Sequence, residues 1–123
     1  MAVITKLYVD PSDISGVVAG RDSVTNSITA YAGGGQTNAT ALTSAINRVT
    51  TVASGNDSVK LPAATVGARV EVINATATNS LNVYPVSGEY MNATQNGAFA
   101  VAAVKAASFI CAVTGTWNTI YSA

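Results

Sequence analysis

The chain of 123 residues has no histidine, one cysteine and only six basic and six acidic residues. Without histidine, Ser-His-Asp and Cys-His nucleophile systems are excluded, as are most zinc sites. Catalysis would have to come from a carboxylate pair or a Ser-Lys arrangement, and the sequence shows neither converging, so no catalytic, cofactor or metal residue is assigned. A single cysteine excludes an intrachain disulfide. Its flanks, Phe109, Ile110 and Val113, mark Cys111 as a small buried hydrophobe rather than a reactive thiol.

Charged residues make up 10% of the chain, against about 25% in an average soluble domain, and the formal net charge is zero. The cations are scattered, which leaves no patch for phosphate contacts and argues against nucleic acid and acidic membranes as partners. No apolar run approaches the roughly 20 residues of a transmembrane helix, and the N-terminus lacks the pattern of a signal peptide.

Large apolar side chains are scarce too. Alanine supplies 22 residues and valine 16, but leucine only four and phenylalanine two. Burying a Val or Leu contributes about 1.5–3 kcal/mol and burying Ala much less, so the core of this single domain is thin. Burial between subunits offsets a thin core, and a homo-oligomer is the expectation.

What is present reads as mostly β structure. Val3, Thr5, Leu7 and Val9 alternate with Ile4, Lys6 and Tyr8 up to Pro11, and residues 1–32 read as an extended N-terminal arm with the first strands, one of them over 23–31. Gly33-Gly34-Gly35 is the strongest break in the chain, a hinge or tight loop. Thr37 or Asn38 then suits a helix cap, with Leu42 and Ile46 on one face, and the spacing predicts a short helix over 38–47.

From Arg48 onward short runs bounded by Gly, Asn, Asp, Ser and Pro predict an antiparallel barrel or jelly-roll-like sandwich over 33–123. Ser54-Gly55-Asn56-Asp57 reads as a hairpin loop between strands 48–53 and 58–62, with Val49, Val52, Val59 and Leu61 as apolar contacts. Residues 68–74 alternate Val70 and Val72 with Arg69 and Glu71, and Leu81 and Val83 face inward in the next strand. Strands over 97–104 and 107–114 read as a pair carrying Phe99, Val101, Phe109, Cys111 and Val113. In the last strand Trp117, Thr119 and Tyr121 share one face, with Trp117 anchoring the core.

Weaker signals resolve toward structure. Asp10 and Asp13 flank a Pro-Ser turn with too few local oxygens for calcium. Glu71 and Glu89 read as solvated rather than as a glycosidase pair. The glycine triplet before Gln36 lacks the Lys-Ser/Thr of a phosphate loop. Four Asn-x-Ser/Thr tripeptides, at Asn38, Asn56, Asn74 and Asn92, are expected by chance in so Asn- and Thr-rich a chain.

The run Ser27-Ile28-Thr29-Ala30-Tyr31-Ala32-Gly33-Gly34-Gly35-Gln36, with Asn47-Arg48-Val49-Thr50-Thr51-Val52-Ala53, resembles small virion proteins of tailed bacteriophages. Asp57-Ser58-Val59-Lys60-Leu61-Pro62, Leu81-Asn82-Val83-Tyr84-Pro85 and Thr114-Gly115-Thr116-Trp117 extend the resemblance over about residues 20–121. It is most similar to capsid decoration, or cement, proteins. That resemblance implies a β-rich homotrimer on the outer surface of the capsid, seated on the major capsid protein where capsomers meet, and stabilising the head. A tail-associated module binding a host surface glycan through exposed aromatics is the alternative. Tyr8, Val9, Pro11, Tyr31 and Gln36 are the residues assigned to protein contacts.

Overall fold

The computed structural model describes residues 21–122. Eleven strands form, and no helix among the described residues: β1 (Val24–Thr29), β2 (Thr40–Ala41), β3 (Ile46–Thr51), β4 (Ser58–Lys60), β5 (Arg69–Asn74), β6 (Leu81–Tyr84), β7 (Tyr90–Met91), β8 (Thr94–Gln95), β9 (Phe99–Val101), β10 (Ala106–Val113) and β11 (Thr116–Tyr121). They make a seven-stranded sheet, in the order β1-β3-β5-β10-β11-β7-β8, and a four-stranded sheet, β2-β4-β6-β9.

The first six strands alternate between the sheets, and within each sheet successive ones pair in parallel. The chain therefore winds as three stacked coils, each giving one strand to each sheet. Val24 lies beside Ile46 and Ile46 beside Glu71, so a coil takes roughly 22–25 residues. After the coils the chain reverses direction. β9 closes the smaller sheet antiparallel to β6, and β10 runs antiparallel to both β5 and β11.

This architecture corrects the antiparallel barrel or jelly roll. Alternation of buried and exposed residues specifies a strand with one wet face but is the same for parallel and antiparallel pairing. Ser54-Gly55-Asn56-Asp57 is accordingly a corner between sheets, because β3 and β4 belong to different ones. The strands carrying Phe99 and Phe109 are likewise in different sheets, and their rings meet edge to face across the core at 5.9 Å.

The helix over 38–47 is also corrected. That segment holds β2, a corner and the start of β3. Leu42 is buried and its N–H continues the ladder onto the Lys60 carbonyl, while the Asn47 side chain accepts from the Ser44 N–H and donates to the Ser44 carbonyl. The four-residue spacing of Leu42 and Ile46 thus spans a corner. β-branched Thr40 and Thr43, and an Asn47 side chain that bonds the nearby Ser44 backbone, suit that conformation better than a helix.

Between the sheets lies the core: Val59, Leu61, Leu81, Val83 and Val101 from one side, Val49, Val70, Val72, Ala107, Phe109, Cys111 and Trp117 from the other. Trp117 and Cys111 are buried as the sequence implies. Leu42, Leu61 and Pro85, each just past its strand, are buried one above another in successive coils. Val113 departs from its expected inward position and is exposed, because the β10–β11 register shifts between Ile110 and Val113.

Candidate interaction surfaces and the corner that fixes them

Stacked coils need something to hold one corner over the next, and here that is a buried carboxylate. The Asp57 side chain accepts from the N–H groups of Ala53 at 2.8 Å, Ser54 at 3.2 Å and Gly33 at 3.2 Å, and from the Ser54 hydroxyl at 2.9 Å. It is buried, and its own carbonyl accepts from the Asn82 N–H of the third coil. Asp57 therefore ties all three coils together. Burial alone would raise its pKa, but the Ser54 hydroxyl and N–H, with the Gly33 and Ala53 N–H groups, outweigh that and hold it below its ordinary 3.8.

The glycine triplet lies over this corner. All three residues have positive φ, and a Cβ at Gly34 would come 2.1 Å from the Asn56 carbonyl oxygen. Only glycine allows the first coil to approach the second so closely. The triplet is a tight loop, and no helix follows it to form an anion site.

Two buried amides serve as further ties. Asn74 donates to the Asn79 and Val101 carbonyls and accepts from the Thr76 N–H and hydroxyl, which uses every hydrogen bond its side chain can make. Asn47, besides its Ser44 bonds, donates to the Glu71 carbonyl of the next coil. The sequence places Asp57 in a loop and Asn74 at the end of the strand over 68–74, and gives neither a role as a tie. Their role was hidden because it depends on which coils are adjacent.

Tyr31 and Gln36 both lie in the first coil. Tyr31 exchanges backbone hydrogen bonds with Ser58, at 2.8 and 3.2 Å, and is 39% exposed, an aromatic side chain on a fixed backbone. Gln36 is half-buried, donating to the Pro85 carbonyl at 2.8 Å and to Asn96 Oδ1 at 3.1 Å. It braces the first coil against the loops around β7 and β8 and presents little of itself. Tyr8, Val9 and Pro11 lie outside the described residues, as do Asp10 and Asp13.

Glu71 and Glu89 are engaged separately. Glu71 pairs with Arg69 on the outer face of the larger sheet and accepts from the Ser108 hydroxyl. Glu89, expected to be solvated, is instead half-buried and accepts from the Ala64 N–H. Among the described residues no three His, Cys, Asp or Glu side chains are grouped to hold a metal ion, and no helix is long and apolar enough to cross a membrane.

The outer face of the larger sheet is the surface least legible in sequence. Val24, Ile46, Ile73, Ile110 and Ile120 come from five adjacent strands and all project outward. Val24 and Ile120 are 60% and 57% exposed, and the three between are partly exposed. Arg48, Arg69 and Glu71 sit among them. Comparison with known family models, curated proteins and solved structures finds no match for this chain.

Proposed function

We propose that this protein is a structural virion component of a tailed bacteriophage, a capsid decoration protein that binds the assembled head as a homo-oligomer and stabilises it without catalysing a reaction. Threefold closure is the arrangement that the family resemblance implies. Such a protein works by mass action: surface that exists only on the assembled shell is buried by each bound copy, so binding favours the assembled state.

The observation that carries this reading is Tyr31. It is an exposed aromatic on a backbone locked to the second coil, so it enters a contact with little ordering cost, the property of interface anchors. It lies in the first coil, into which residues 1–20 lead, and Tyr8, Val9 and Pro11 of that segment are assigned to the same contact with the major capsid protein. Low charge suits a partner recognised by shape and apolar contact rather than by field.

Copy number in purified particles tests the reading. Hundreds of copies per virion are expected of a decoration protein. A handful of copies contradicts it and points to the tail, where a glycan-binding role would apply.

A further inference from the structure

We infer that Asn26-Ser27 is a self-modification site, at which the Ser27 amide nitrogen closes on the Asn26 side chain and converts it to an aspartyl or isoaspartyl residue. The Arg48 guanidinium assists by holding the charge that develops on Asn26 Oδ1. The reaction is a property of this chain alone, whatever the protein binds.

Three observations converge on this pair. The first is that the fold brings the reacting groups together. β1 is the edge of the seven-stranded sheet, and its register against β3 slips between Thr25 and Ile28, so Asn26 and Ser27 stand outside the ladder. The Ser27 N–H turns onto the Asn26 side chain instead, with the nitrogen 2.7 Å from Oδ1, on a backbone held at φ 58°. Cγ is one C=O bond, about 1.23 Å, from that oxygen, so the nitrogen is at most about 3.9 Å from the carbon it attacks. Holding two reactants that close removes much of the entropic cost of their meeting.

The second is Arg48, whose Nη1 donates to the same Oδ1 at 3.0 Å. That oxygen becomes an oxyanion in the tetrahedral intermediate, and a cation already in place stabilises it without reorganisation. Asn26, Ser27 and Arg48 are all exposed, so water reaches the site.

Water is the only co-reactant that the chemistry needs. Ser27 N gives its proton to water, and its electron pair forms the bond to Asn26 Cγ. The intermediate collapses by breaking the Cγ–Nδ2 bond, and ammonia leaves with a proton regained from water. Water then opens the cyclic succinimide at either carbonyl, giving the aspartyl linkage or the isoaspartyl one. Nothing is oxidised or reduced. One negative charge is added beside Arg48 to a chain whose formal net charge is zero, and the isoaspartyl form lengthens the β1 backbone by a methylene.

The third is a contrast with Asn96-Gly97, the pair that sequence favours because glycine leaves its nitrogen unhindered. There the Gly97 N–H donates to the Thr94 carbonyl at 3.2 Å, while Asn96 Oδ1 accepts from the Gly88 N–H at 2.7 Å and from Gln36 Nε2 at 3.1 Å. Nucleophile and electrophile are held by different partners, so folding reverses the order that sequence sets.

The test is incubation of the full chain at about pH 8, where base takes the amide proton, both folded and in guanidinium chloride. Acidic forms are separated by isoelectric focusing and located by peptide mass spectrometry. The folded protein is expected to convert at position 26 at least about threefold faster than at Asn96, and faster than at position 26 in the unfolded chain. In guanidinium chloride the order should invert, with Asn96 first. Arg48→Ala, checked for native circular dichroism, should slow conversion at position 26 about tenfold, and Asn26→Gln should abolish the early acidic form. Conversion at position 26 that is no faster folded than unfolded overturns the inference, as does folded protein that converts first at Asn96. An undiminished rate in natively folded Arg48→Ala also overturns it, because the guanidinium would then play no part.

Discussion

The corner around Asp57 and the outer face of the larger sheet reverse the usual placement of polar and apolar side chains. At the corner a carboxylate is buried, and Asn47 and Asn74 are buried at other turns of the coils, while on the face isoleucine and valine meet solvent. Each makes sense by what it touches. The buried polar groups are satisfied by hydrogen bonds within and between coils, and such bonds have direction, so they fix register in a way that packed valines do not. The face's apolar groups are exposed or partly exposed among the described residues. Polarity inside specifies the fold, and the apolar side chains outside are left facing solvent.

The contrast can be broken most strongly at the corner. Asp57→Ala leaves N–H groups of Gly33, Ala53 and Ser54 without their acceptor, and each unsatisfied buried donor costs about 1–3 kcal/mol, less whatever water restores. A loss of about 3–4 kcal/mol in urea unfolding is expected. The same carboxylate makes stability depend on pH in a defined direction. Its folded pKa lies below the unfolded value, so its contribution is complete above about 3.8 and is lost as pH falls through the lower folded value. Wild type should lose stability below about pH 4, and the acid loss should be smaller in Asp57→Asn, measured by thermal melts across pH.

Gly34→Ala attacks the same corner from the first coil. The added Cβ meets the Asn56 carbonyl and an L residue is forced to φ near 73°, for an expected cost of about 3 kcal/mol in chemical unfolding. Loss of that size on the corner, beside little loss of fold stability in the face variant Ile120→Lys, would sharpen the contrast between the two regions. The smallest effect is a gain. Val104 is a β-branched residue at φ 56°, 72% exposed, and Val104→Asn should raise stability by about 0.5–1 kcal/mol because asparagine tolerates that conformation.

Some of this is legible in the sequence. The strands read over 68–74 and 117–121, and the inward Leu81 and Val83 of the strand before Pro85, follow from alternation and coincide with β5, β11 and β6 to within a residue, and Trp117, Phe109 and Cys111 are buried as their neighbours suggest. Pairing direction was not legible. Period-two patterning does not distinguish a hairpin from a coil, and the three coils share no residue signature: the aligned positions Val24, Ile46 and Glu71 differ in polarity. The false helix came from Leu42 and Ile46, two residues on opposite sides of a corner. The outward apolar side chains are not legible as one face, because each strand contributes one of them, separated in sequence by polar neighbours such as Arg69 and Glu71. Asp57 was hidden for another reason: its Gly33 donor is distant in sequence, and only stacking brings the two together.

The central claim is that the protein stabilises heads by binding them. It is tested by adding purified protein to heads stripped of it, then measuring co-sedimentation and the temperature at which DNA is released. The account predicts saturable binding at hundreds of copies per head and a higher release temperature. Protein that remains in the supernatant, with the release temperature unchanged, would contradict it.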